Sequence, residues 1–161
     1  MMSTLKTGFR KVNHVGIVVK DLDKSIAFYE ALTGIKVSNV DKIGGDRMAK
    51  VQGLDKTLIS YANLHLDNIN MDILQYIQPE PTMAIYKNNQ ISAMHLCFEV
   101  DGIDKAVERL KKVGVDLSGE TMIFEAADGL SSGWGTKVAY FDDLDGVHLE
   151  IIEPQGPFKR N

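Results

Sequence analysis

The run His14-Val15-Gly16-Ile17-Val18-Val19-Lys20-Asp21-Leu22-Asp23-Lys24-Ser25-Ile26 occurs in this chain in two versions. Its second version is His95-Leu96-Cys97-Phe98-Glu99-Val100-Asp101-Gly102-Ile103-Asp104-Lys105-Ala106-Val107, 81 residues on and without a gap. Both open on histidine and carry Asp-Lys at the same place. A shorter match closes each half: Met71-Asp72-Ile73-Leu74-Gln75 lies 78 residues before Leu149-Glu150-Ile151-Ile152-Glu153, with a carboxylate in the same slot. Self-similarity at a long, fixed offset marks a duplicated supersecondary unit, so one unit's reading serves for both.

Each unit starts with a β-rich run, Val15 to Val19 or Leu96 to Val100. Asp21 or Asp101 then leads into apolar residues at three- and four-residue spacing: Leu22, Ile26 and Tyr29, or Ile103, Val107 and Leu110. That spacing is helical, and Gly34 and Gly114 are the expected stops. Strand patterns follow. In the first half they cover Met48 to Val51, Thr57 to Leu66 and Met71 to Ile77, closed by Pro79; in the second, Thr121 to Glu125, Lys137 to Phe141 and His148 to Ile152, closed by Pro154. The expected order is βαβββ twice, an α+β fold with residues 12–79 as one module, 92–154 as the other, and Pro79 to Asn89 as linker. A single domain over residues 1–161 is expected from a length of 161 residues.

Composition narrows the function. Hydrophobic residues are 44% and charged residues 25%, the balance of a folded globular domain. A formal charge of −4 with no basic block argues against nucleic acid as a partner and favours small-molecule chemistry. Cys97 is the only cysteine, so neither an intrachain disulfide nor a thiolate metal cage can form, which suits a reducing cytoplasm. Between Met1 and Lys20, Lys6, Arg10 and Lys11 flank an apolar run no longer than Val15 to Val19, too short for a signal-peptide core or a membrane span. No membrane partner is expected.

The chemistry sits at the ends of the repeat. Side chains alternate faces along a strand, so a histidine early in the first strand and a carboxylate in the last share a face if those strands are neighbours. Two modules related by a pseudo-twofold would turn His14, Asp72, His95 and Glu150 toward one cleft. Two imidazoles and two carboxylates suit one divalent first-row ion, with Zn, Ni, Co, Mn and Fe all compatible, and leave an octahedral ion two positions for a chelating substrate. A charge on an otherwise apolar strand is costly unless it is used, and here the same two residue types recur in the same two slots.

These residues carry a resemblance. Asn13 to Asp23 with Phe28-Tyr29, then His95 to Ile103, and then Tyr140-Phe141-Asp142-Asp143-Leu144-Asp145-Gly146-Val147-His148-Leu149-Glu150 resemble the signatures of the vicinal oxygen chelate superfamily. That superfamily includes glyoxalase I, methylmalonyl-CoA epimerase, fosfomycin- and bleomycin-resistance proteins and extradiol dioxygenases. The resemblance implies paired βαβββ modules forming a curved, mixed eight-stranded sheet around a metal, with His14, Asp72, His95 and Glu150 in the ligand slots. It also implies a homodimer. Two departures stand out. Asp72 is a methylene shorter than the Glu usual at its slot, which leaves a three-ligand His14, His95, Glu150 site open. The extra glutamate base of methylmalonyl-CoA epimerase has no counterpart between Asp46 and Val51.

The reading is an enzyme of the glyoxalase or epimerase type, a lyase or isomerase in which the metal stabilises an enolate or enediolate while Glu150, with Asp72, moves the proton. Its alternatives are an Fe(II) dioxygenase and a metal-free drug- or metabolite-binding protein. His148 shares the face of Glu150 and is read as a substrate contact or proton carrier. Trp134, between Gly133 and Gly135, is read as a lid, and Tyr140, Arg47 and Lys137 as further substrate contacts. Gln75 is expected to point outward, Cys97 to pack, and His65 has no evident partner.

Overall fold

The computed structural model describes residue 8 and residues 11–159; Lys6 and Arg10 lie outside the described residues. Among the described residues eight strands form, in two four-stranded mixed sheets, and seven of them fall where the sequence places them. The first sheet is built from β1 (His14–Val18), β2 (Val40–Gly44), β3 (Leu58–His65) and β4 (Asn70–Gln78) in the order β1-β4-β3-β2. The second uses β5 (His95–Glu99), β6 (Met122–Ile123), β7 (Lys137–Asp142) and β8 (His148–Glu153) in the order β5-β8-β7-β6. Each opening strand runs parallel to the closing strand of its own half, and every other pairing is antiparallel. That parallel pairing is what the helical crossovers allow: α1 (Leu22–Thr33) follows β1 and α3 (Ile103–Lys112) follows β5.

The chain divides into two compact units. One runs to Ile26 and resumes over Ile35–Pro81; the other takes Ala27–Gly34 and everything from Thr82. In the first, Val19, Leu22, Ala62, Leu64, Met71 and Ile73 are buried; in the second, Tyr29, Ile103, Leu110, Phe141, Leu149 and Ile151. The second half of α1 groups with the second unit, where Tyr29 donates a 2.7 Å hydrogen bond to Asp143.

One element differs in kind from the sequence expectation. Met48 to Val51 is not a strand but part of α2 (Asp46–Gln52). Asp46 favours the first turn of a helix, and Gly53 ends it in the left-handed region at φ 69° with its N–H on the Lys50 carbonyl. Ala49 alone is buried there, while Val51 is 82% exposed. The missing strand is β2, whose five residues are all exposed and include Asp41 and Lys42. An edge strand of that composition has no buried face and so no alternation to read.

The repeat also explains how the helices start. The backbone N–H of Leu22, first in α1, donates to Oε1 of Gln75 at 3.0 Å, and the N–H of Ile103, first in α3, donates to Oε2 of Glu153 at 2.8 Å. Both caps come across the sheet from the closing strand, three residues beyond the repeated carboxylate. Gln75 is therefore no idle outward residue: it satisfies one of the orphan donors at a helix N-terminus. The Ile103 N–H and, secondarily, the Lys137 ammonium at 3.6 Å hold the Glu153 carboxyl below its ordinary range. A depressed carboxyl stabilises the fold above its unfolded pKa and loses that contribution as pH falls through the folded value. Glu153→Gln should therefore unfold at lower urea than wild type at about pH 6 and converge with it at about pH 3; a gap that stays constant between the two would exclude this linkage.

Candidate metal centre

In the first unit β1 and β4 pair with Gly16 opposite Asp72, so His14, two residues before Gly16, lies diagonally across from Asp72 on one sheet face. Nε2 of His14 stands 3.7 Å from Oδ2 of Asp72. Nδ1 of His14 stands 2.9 Å from the Asn13 amide oxygen, which orients the ring with Nε2 toward the carboxylate. The other carboxylate oxygen, Oδ1, accepts a 2.5 Å hydrogen bond from Nδ2 of Asn63, the residue paired with Asp72 from β3.

The second unit repeats the plan more tightly. Cys97 is opposite Glu150, and Nε2 of His95 approaches Oε2 of Glu150 to 3.0 Å. Glu150 is only 7% exposed, whereas the ring of His95 is about half exposed. Tyr140 is paired with Glu150 from β7, with its hydroxyl beside that carboxylate, and its ring stands edge-on to His95 with centroids 5.5 Å apart. Burial first, and then the charge of Glu150, push the Tyr140 hydroxyl up to about 12, so it remains a donor throughout the physiological range.

The four expected ligands are thus present as two histidine–carboxylate pairs, one in each unit. Among the described residues, no group of three or more His, Cys, Asp and Glu side chains is gathered closely enough to hold an ion. The tighter pair, His95 and Glu150, by itself suits adjacent positions on a metal. Bonds of about 2.1 Å at right angles put neighbouring donors about 3.0 Å apart, the spacing of His95 and Glu150. The slot between histidine and carboxylate is small in both units, Gly16 in one and Cys97 in the other. Cys97 is exposed on this face rather than packed.

The remaining sequence candidates fall elsewhere or are already engaged. His148 lies opposite His95 on the face of Glu150, but its Nδ1 meets Oδ1 of Asp142 at 2.6 Å and its Nε2 the Tyr86 carbonyl at 2.5 Å. Two acceptors demand two ring protons, and the Asp142 bond, opposed by burial and aided by the Tyr86 carbonyl, raises its pKa. Lys137, three residues from Tyr140, points to the opposite face, 3.6 Å from Glu153 and 3.9 Å from Asp104. Arg47 is exposed on α2. Trp134 is half-exposed, yet its indole N–H is bonded to the Leu130 carbonyl, and its loop is pinned. A Cβ on Gly133, at φ +83°, would lie 2.5 Å from the Phe158 ring, and Thr136 and Gln155 exchange hydrogen bonds. His65 does have partners: Ser38 at 2.9 Å and Asn70 at 2.7 Å, a tether between the α1–β2 connection and the β3–β4 hairpin.

Sequence reading passed over Asn63. It stands nine residues before its carboxylate and Tyr140 ten before its own, because the hairpin turns differ in length. The two positions therefore do not align as a repeat, and their chemistry differs.

Comparison with known proteins identifies the family and agrees with the fold. A family profile described as the Glyoxalase/Bleomycin resistance protein/Dioxygenase superfamily matches residues 11–151. The chain is 29% identical over 156 residues to a 2-epi-5-epi-valiolone epimerase from an Actinomyces species, covering 92% of this chain and 83% of that one. It is 33% identical over 104 residues to human mitochondrial methylmalonyl-CoA epimerase, covering 63% of this chain and 53% of that one. Among solved structures, a glyoxalase family protein from Bacillus cereus superposes with a TM-score of 0.79 at 22% identity, covering 97% of this chain and all of that one. No helix among the described residues is long and apolar enough to cross a membrane.

Proposed function

The chain belongs to the Glyoxalase/Bleomycin resistance protein/Dioxygenase superfamily, and from that premise we propose that it is a metal-dependent epimerase of a small carbonyl compound. The observation that carries the reading is the His95–Glu150 pair: a nearly buried carboxylate held 3.0 Å from an imidazole, at the separation of neighbouring ligands. His14 and Asp72 occupy the same two slots in the other half and offer a second pair of donors there. When bound, a divalent ion supplies Lewis-acid stabilisation of the charge that develops on the substrate's carbonyl oxygen.

The chain's own groups then handle one proton. Glu150 takes it from the carbon beside the carbonyl. Asp72, whose Oδ1 is held by Asn63 while Oδ2 remains available, is the carboxylate we assign to starting protonated and supplying the replacement proton, and exchange of both carboxyls with solvent resets them between turnovers. No net proton or electron is exchanged, as epimerisation requires. With residues 48–51 on α2 and no glutamate between Asp46 and Val51, acid–base work falls on the repeated carboxylates. The curated relatives named above are both epimerases, which supports proton transfer at carbon over ring cleavage with dioxygen, and supports isomerase over lyase chemistry.

The test is solvent exchange. Protein supplied with Mn(II) or Co(II) is incubated in D₂O with methylmalonyl-CoA or 2-epi-5-epi-valiolone and followed by proton NMR. Deuterium entering at the carbon beside the carbonyl, only with metal present, is the expected result. Metal binding without exchange on either compound would remove these two substrates. A protein that binds no metal would overturn the metal-dependent mechanism.

A further inference from the structure

The two carboxylates are not held by the same chemistry, and the difference lies one strand away from the ligands. We propose that Tyr140 and Asn63 are positioning residues that fix Glu150 and Asp72 for metal binding, with the Tyr140 half of the site the stronger anchor. This rests on the metal-dependent reading above and assigns the parts of the chain that make it work.

Both residues sit on the strand next to the carboxylate strand and directly across the ladder from it, so backbone pairing already brings each side chain to its partner. Asn63 takes Oδ1 of Asp72 with an amide N–H, and that leaves Oδ2, the oxygen facing His14, as the one open donor atom. A carboxylate held by one oxygen has lost most of its rotamer freedom before an ion arrives, and outer partners of this kind typically tune metal affinity by about 10- to 100-fold.

Tyr140 does more. It stands directly across the ladder from Glu150 while its ring packs edge-on against His95, so one side chain reaches both members of the pair. The hydroxyl beside Glu150 gives Tyr140 the role of a support for that ligand. The geometry matches: His95 and Glu150 already stand 3.0 Å apart, whereas His14 and Asp72 are at 3.7 Å, where Asn63 steadies only the carboxylate.

The experiment titrates Mn(II) into the full chain by calorimetry and records the visible spectrum of the Co(II)-loaded protein, for wild type, Tyr140→Phe, Asn63→Ala and Tyr76→Phe. Tyr76 is the control because its hydroxyl accepts from Gln52 and touches no candidate ligand. Tyr140→Phe keeps the ring against His95 and removes one hydroxyl. It should weaken Mn(II) binding by about 10- to 100-fold and change the Co(II) bands, since ligand geometry is altered; Asn63→Ala should weaken it less, and Tyr76→Phe should match wild type. Both variants within twofold of wild type, with unchanged bands, would overturn the positioning roles while the metal reading stands. An equal or larger loss in Asn63→Ala would overturn the ranking. Wild type that binds no metal would overturn both the proposal and the reading beneath it.

Discussion

Glu150→Ala should lose bound Mn(II) or Co(II) and, with it, exchange of the substrate's proton. Removing a direct ligand exceeds the loss of an outer partner, so affinity should fall by more than about 100-fold. Turnover should fall by at least the factor of about 10² to 10⁴ that a positioned acid–base group contributes. Glu150→Gln separates the two duties. Its amide oxygen can still face an ion and accept from Tyr140, but it cannot take a proton near neutrality, so the variant should retain weak metal binding without exchange. Unfolding measured alongside keeps the result interpretable, since Glu150 is buried and its removal leaves the Tyr140 hydroxyl without that acceptor. If Glu150→Ala kept both metal and exchange, neither role could belong to this residue.

The second large effect is structural. Asp143, nearly buried in the β7–β8 turn, accepts three hydrogen bonds: Tyr29 hydroxyl to Oδ2 at 2.7 Å, and the N–H groups of Asp145 and Val147 to Oδ1 at 2.9 and 2.8 Å. Tyr29 is wholly buried, and burial, with the Asp143 charge second, raises its pKa, so it donates at any accessible pH. Asp143→Ala removes the acceptor from all three donors. A hydrogen bond to a charged group contributes about 1.5–3 kcal/mol, and these three share one carboxylate, so about 3 kcal/mol of destabilisation is expected. In a chain of this size that lowers the melting temperature by roughly 6–12 °C. Tyr29→Phe should fall short of this, because Oδ1 keeps both of its donors. Chemical denaturation checks the order, and an Asp143→Ala variant within about 0.5 kcal/mol of wild type would show that the turn finds other partners.

This contact also gives the signatures a physical meaning. Phe28-Tyr29 and the Asp142-to-Gly146 turn lie 114 residues apart in the relevant pair and touch through one hydroxyl. Gln75 and Glu153, which close the shorter repeat, cap α1 and α3. What reads as a string of shared letters is a set of candidate ligands, helix caps and a buried turn. The misread element, α2, fails for a related reason: its three apolar and small residues, Met48, Ala49 and Val51, carry no period, and a glycine stop at Gly53 decides between helix and strand only once the chain has turned.

The sequence by itself determined the duplicated strand–helix–strand plan and its four metal-capable residues. Periodicity and repetition are local properties, and a residue type that recurs in one slot needs no coordinates to be noticed. Tertiary structure alone decided what those residues rest on. Register brings Asn63 to Asp72 and Tyr140 to Glu150, strand alternation turns Lys137 to the other face, and a carbonyl from Tyr86 occupies His148. Each depends on which backbone atoms pair across a ladder or meet at long range, and turn length shifts that pairing by a residue without leaving a mark in the repeat.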